Sequence, residues 1–212
     1  MNPEFLALSI IILLFSVIVH EVSHGLMALK FGDHTAEAAG RLTLNPIPHI
    51  DPFGTILLPA ILMLTGSPIL FGWAKPVPVN PLNFSNLRKG ELFVSAAGIL
   101  ANFGLAIAAA VIYHILVALP QTFPALLGAL LRFTVIINLV LGTFNLFPIP
   151  PLDGSKVLLS RLPYNLAKEY QKLEPYGFII LMILLLVPLG NSSLLQTFLG
   201  FFVNLFANLL GF

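Results

Sequence analysis

The sequence contains no cysteine. That excludes disulfides, thiolate metal ligands and a cysteine nucleophile, and it leaves the compartment open, because a cysteine-free chain tolerates any redox poise. Charge is scarce as well. Asp, Glu, Lys and Arg make up 9% of the 212 residues, against about 25% in an average soluble domain. The net charge is only +1 and the basic residues are scattered, which excludes the clustered positive surface of a nucleic-acid binder. What fills the chain is apolar: 58% of residues are hydrophobic and the mean hydropathy is +0.97. Several apolar runs approach the ~20 residues that a helix needs to cross a bilayer, so the sequence predicts an integral, multi-pass membrane protein. The first run is a retained helix rather than a signal peptide, since His20 and Glu21 stand where a small-residue cleavage site would be expected.

Segment by segment, the first helix is expected from about Phe5 to Phe31, closed by Lys30 and Gly32. Residues 33–52 read as a loop or small β-hairpin, with Arg41 to Leu44 as a candidate strand. The apolar stretch Phe53 to Trp73 is interrupted by Pro59, Gly66 and Pro68, and it either spans or re-enters the membrane. Re-entry gathers Lys30, Arg41, Lys75, Arg88, Lys89, Lys156, Arg161, Lys168 and Lys172 on one face, which the positive-inside rule makes cytoplasmic, so re-entry is the preferred reading. Further helices are expected from Glu91 to Leu119 and from Ala125 to about Phe147, the second stopped by Pro148, Pro150 and Pro151. Residues 175–212 read as a hairpin of two apolar helices. The fold class is therefore an all-α polytopic membrane protein with about five to six spanning or re-entrant segments. A single domain is expected, with its core over roughly residues 5–160 and the C-terminal helical hairpin after it, and no appended soluble domain fits within the 212 residues.

Chemistry concentrates first in His20-Glu21-Val22-Ser23-His24. At 3.6 residues per turn the two imidazoles lie roughly 40° apart and ~6 Å along the axis, close enough to share one ion. Glu21 sits about 60° around the helix from His24, bordering the ion without competing for it, where a general base beside water belongs. A plain polar patch is the bland alternative. Three adjacent ionisable residues inside a membrane helix are too costly for that unless they face a cavity and serve a function.

A catalytic zinc site needs a third protein ligand. Asp153 ends the run Asn145-Leu146-Phe147-Pro148-Ile149-Pro150-Pro151-Leu152-Asp153-Gly154, where prolines break the helix and let a carboxylate return at membrane depth. It is the favoured ligand. Asp51, before Pro52, is the rival, and its bland role is that of a turn residue.

These motifs, in this order and spacing, resemble the site-2 proteases, intramembrane zinc metalloproteases. The likeness also takes in Gly72-Trp73-Ala74-Lys75-Pro76-Val77-Pro78-Val79, which looks like a segment of compact prokaryotic members lacking PDZ or CBS domains, and Gly98 to Asn102, similar to a Gly-Pro-x-x-Asn stretch with Ile99 in place of the proline. The resemblance implies one Zn2+ per chain held by His20, His24 and Asp153, with Glu21 as the base. It places Asn145 where a substrate or oxyanion contact is expected and gives Asn102 a similar candidate role; for both, an interhelical hydrogen bond weighs equally. It further implies transmembrane protein substrates, regulated intramembrane proteolysis, and residence in a prokaryotic inner membrane. His49 could line an entrance or serve structure, Trp73 suits an interface, and His34 and His114 receive no role.

Competing readings find less in the chain. A serine-type site wants Gly-x-Ser-Gly, which is missing, and an aspartyl type wants two membrane Asp where only Asp153 fits. A metal or proton transporter would show broken helices in two related halves, which are not seen. A catalytically silent binding protein would have no need of Glu21.

Overall fold

The computed structural model describes residues 3–65, 72–190 and 192–212. Three helices among them are long and apolar enough to cross a membrane: α1 (Pro3–Lys30), α4 (Leu87–Ala118) and α5 (Ala125–Leu146). At 1.5 Å per residue they measure about 42, 48 and 33 Å, each exceeding a hydrocarbon core of ~30 Å. Between α1 and α4 lie only short helices, α2 (Thr35–Ala38) and α3 (Leu58–Leu64). After α5 come α6 (Asp153–Leu159), α7 (Tyr164–Gln171), α8 (Gly177–Leu186) and α9 (Leu194–Leu209).

The helices pack through small residues, as expected where lipid is as apolar as a side chain and close backbone approach is what holds helices together. Ala106, Ala109 and Ala110 of α4 are buried against Val135 and Leu139 of α5 and against Val203 and Ala207 of α9. Large apolar side chains such as Ile10, Ile11, Leu100 and Ile107 point outward, as lipid-facing residues do. A second cluster (Phe147, Leu152, Leu181, Leu195) pins the turn after α5 to α8 and α9. A third (Ala28, Phe84, Val94) ties the end of α1 to the start of α4.

The structure corrects several sequence expectations. Arg41 to Leu44 forms no strand. The backbone N–H of Arg41 donates to Ala36 O, and Thr43 and Asn45 bond the neighbouring backbone through their own side chains, a local alternative to strand pairing. Among the described residues the one sheet is elsewhere, a two-residue pair of β1 (Pro188–Leu189) with β2 (Ser192–Ser193) between α8 and α9. Helix α4 starts four residues earlier than the expected Glu91, because the Asn86 side chain accepts from Lys89 N and caps it. Arg88 and Lys89 therefore sit in its first turn.

Of the stretch Phe53 to Trp73, residues 66–71, including Gly66 and Pro68, lie outside the described residues. Its described ends stand side by side. Trp73 N donates to Gly54 O at 3.1 Å and Thr55 Oγ1 to Trp73 O at 2.8 Å. The ends of a spanning segment would be about 30 Å apart, so this geometry agrees with a chain that returns to the side it left.

Candidate active site

His20 and His24 lie on the face of α1 turned toward α4. His20 is ten residues, about 15 Å, from the basic end of the helix at Lys30, which is near the middle of a ~30 Å core. Asp153 reaches the same point from the other end of the chain. Pro148, Pro150 and Pro151 stop α5, and the chain doubles back so tightly that a Cβ on Gly154 would stand 2.1 Å from Leu146 O. Only glycine permits this return, and it delivers Asp153 as the first residue of α6.

Three ligand atoms converge there. Asp153 Oδ2 lies 3.1 Å from His20 Nε2 and 3.1 Å from His24 Nε2, and the two nitrogens are 3.0 Å apart. The third wall is Gly98 of α4, where a Cβ would come within 2.5 Å of His24 Nε2 and 2.6 Å of His20 Cε1. On the outer side of the rings, His24 Nδ1 lies 2.7 Å from Val94 O and His20 Nδ1 lies 2.7 Å from Asn102 Oδ1. Both partners are acceptors, so each Nδ1 carries the proton and each Nε2 presents a lone pair inward.

The donor set fits a zinc ion. Two imidazole lone pairs and a carboxylate oxygen face one another with no proton between them, and buried Asp153 Oδ2 has no hydrogen-bond donor of its own. The triangle's edges of 3.0–3.1 Å approach the ~3.3 Å separation of ligands in a tetrahedron with bonds of about 2.0–2.1 Å. His20, His24 and Asp153 also form the one group of three potential metal-binding side chains found among the described residues.

Residues 115–188 match the pattern of Peptidase family M50. The chain is 39% identical over 189 residues to the "Putative zinc metalloprotease YwhC" of Bacillus subtilis, covering 87% of this chain and 83% of that protein. The chain belongs to peptidase family M50. This M50 peptidase, of the site-2 protease type, is thus a membrane zinc metallopeptidase. It is also 28% identical over 193 residues to a Mycolicibacterium smegmatis protein named "Putative zinc metalloprotease Rip2", covering 89% of this chain and 70% of that one. To "Zinc metalloprotease MJ0392" of Methanocaldococcus jannaschii it is 26% identical over 206 residues, covering 95% of this chain and 49% of that one. No solved structure matches.

The remaining candidates fall into place around the triad. Glu21 is half-buried, and its Oε2 accepts from Val77 N at 2.8 Å, which brings the stretch 72–80 against the site. Asn102 is fully buried, with its oxygen on His20 and its amide nitrogen toward Asn138; the structure gives it the interhelical bond. Asn145 donates to Leu141 O within its own helix at 3.1 Å. Asp51 is the turn residue: its carboxylate caps Phe53 N at 3.0 Å and Gly54 N at 2.6 Å. His49 is buried with Nε2 on Thr43 O, while its own backbone oxygen accepts from Lys75 N. His34 pairs with Glu37, and His114 meets Leu210 O. Sequence reasoning missed Ser16 and Asn138, and held Val77 only as part of the 72–79 segment, without its bond to Glu21. Asn138 is an amide inside an apolar run, a signal that polar residues in membrane helices do carry.

A separate anchor holds the far end of the 72–80 stretch. Asp33, fully buried, accepts from Asn80 N at 2.7 Å, Asn83 Nδ2 at 2.8 Å and Thr35 Oγ1 at 2.5 Å. Burial alone would push its carboxyl up; the bonds from Thr35, Asn83 and Asn80 outweigh this and hold it below the ordinary value.

Proposed function

We propose that this chain hydrolyses peptide bonds in or beside transmembrane segments of membrane-protein substrates, in the manner of regulated intramembrane proteolysis. The observation that carries the reading is depth: the triad with its adjacent Glu21 lies about 15 Å inside a spanning helix, among helices that expose apolar faces to lipid. A soluble substrate has no reason to visit that level.

His20, His24 and Asp153 would hold the ion. Zinc bound there supplies a Lewis acid that acidifies water to a pKa of roughly 7 and polarises a carbonyl. Glu21 takes the proton of the attacking water on a carboxylate oxygen and returns it to the nitrogen of the departing amine. The Val77 N–H holds that carboxylate at the edge of the site in a defined orientation. Asn145, next to the last residue of α5, gives one amide hydrogen to Leu141 O and keeps the second for a developing oxyanion. The substrate helix has to unwind locally, because a helical peptide carbonyl is already hydrogen-bonded and shielded.

The test is cleavage of a single-span substrate co-reconstituted in vesicles, comparing wild type with Glu21→Gln. The expected result is cuts within or next to the span by wild type and none by the variant, with equal zinc content. Cleavage confined to water-soluble peptides, or persisting in the variant, overturns the proposal.

A further inference from the structure

The carbonyl end of Asn102, rather than its amino end, faces His20. What orients it stands on α5. Asn138 of α5 is fully buried, and its Nδ2 lies 2.9 Å from Thr134 O and 2.9 Å from Ser16 Oγ. Thr134 O is a backbone carbonyl and can only accept. Ser16 Oγ spends its own hydrogen on Ile12 O, 2.8 Å away, so it too must accept. The amino end of Asn138 is thereby fixed, and its Oδ1 must face Asn102.

Asn102 then has no choice either. Its Nδ2 donates to Asn138 Oδ1 at 2.9 Å, with Ser16 O at 3.4 Å, and its Oδ1 is left facing His20 Nδ1 at 2.7 Å. Nδ1 must carry the ring hydrogen, and Nε2 must be the lone pair aimed at Asp153. Every member of this chain is buried, and it joins α1, α4 and α5. Reversal would set carbonyl against carbonyl or leave a buried donor unmet.

We infer that Asn138 is a positioning residue for the metal centre: acting through Asn102, the amide relay from α5 sets which nitrogen of His20 is free to bind the ion. His24 needs no such relay, since Val94 O sets its tautomer directly. The inference rests on the metal reading of the triad and adds to it that the competence of His20 is decided two hydrogen bonds away, on a helix that contributes no ligand. Removing an orienting partner of a metal-bound imidazole typically weakens binding about 10- to 100-fold.

The experiment measures zinc affinity of the full chain in detergent by competition with a chromogenic chelator, alongside the visible spectrum of the Co2+-substituted protein. Asn138→Leu frees the Asn102 amide to turn, and should raise the zinc Kd by about 10- to 100-fold. Asn102→Asp places a carboxylate on His20 that accepts in either orientation, so the double variant Asn102→Asp with Asn138→Leu should regain affinity within a few-fold of wild type. A role in helix packing alone predicts the opposite, because the second change would add damage. A wild-type Kd in Asn138→Leu, or no recovery in the double variant, overturns the inference. Isotope-labelled histidine NMR of metal-free wild type, with His20 assigned by His20→Gln, needs no Asn138 variant to fold. It should show His20 protonated at Nδ1, and an Nε2–H tautomer refutes the relay. Absence of zinc binding by wild type itself would instead remove the metal reading, and the relay with it.

Discussion

Gly98→Ala puts a single methyl group against the metal site. The new Cβ would lie 2.5 Å from His24 Nε2 and 2.6 Å from His20 Cε1, where carbon contacts ordinarily sit at about 3.5–4.0 Å. One or both rings must therefore shift by roughly 1 Å, while metal bonds tolerate only about 0.2 Å. Overpacking of this kind costs about 1–3 kcal/mol, which at 1.4 kcal/mol per decade is a loss of about 5- to 150-fold in zinc affinity. The metal-free protein should respond differently. Its imidazoles are free to turn aside, and alanine is a better helix former than glycine by about 0.5–1 kcal/mol, so its thermal midpoint should hold or rise. The assay pairs chelator competition with thermal denaturation of the stripped protein. Unchanged zinc affinity would refute the close approach of α4 to the two rings; a collapse of the metal-free fold would show that Gly98 serves helix packing instead.

Other outcomes follow from the same geometry. Val77→Pro removes the N–H that Glu21 Oε2 accepts. A hydrogen bond to a charged group is worth about 1.5–3 kcal/mol, so kcat/KM on a peptide substrate should fall roughly tenfold or more with zinc content unchanged; a parallel loss of zinc would mean that the stretch 72–80 supports the ligands themselves. Asp33 has a lowered pKa in the fold, so its stabilising contribution is complete above the unfolded value of about 3.9 and is lost as pH falls from there through the folded value. Fluorescence of Trp73, the sole tryptophan, should report this acid transition in wild type, and Asp33→Asn should flatten it. Asp51→Ala should leave zinc binding intact, because its carboxylate caps Phe53 and Gly54; loss of zinc would revive it as a ligand.

Much of this was legible in the sequence because the bilayer is a harsh filter. His20, Glu21 and His24 inside an apolar run are costly without a cavity to face, and the prolines after Asn145 break a helix, so the two halves of the candidate metal site could be paired from the sequence. Spanning helices α1, α4 and α5 were legible for the same reason. The 33–52 loop was not, since Arg41 to Leu44 alternates like a strand but its backbone and side-chain groups find partners nearby. The relay through Ser16 and Asn138 was hidden for a different reason. An amide in a helix announces that it needs a partner, but which helix supplies that partner is decided by rotation about the helix axis, and composition does not encode it. The role of Gly98 is likewise a matter of what stands opposite.

The most direct test is zinc K-edge X-ray absorption on the purified protein, with metal quantified per chain. The account predicts one zinc per chain, with a first shell of two imidazole nitrogens and oxygen ligands at about 2.0–2.2 Å, and Asp153→Ala should lose the metal or one of those oxygens. Substoichiometric zinc in wild type, or a shell lacking imidazole, would contradict it.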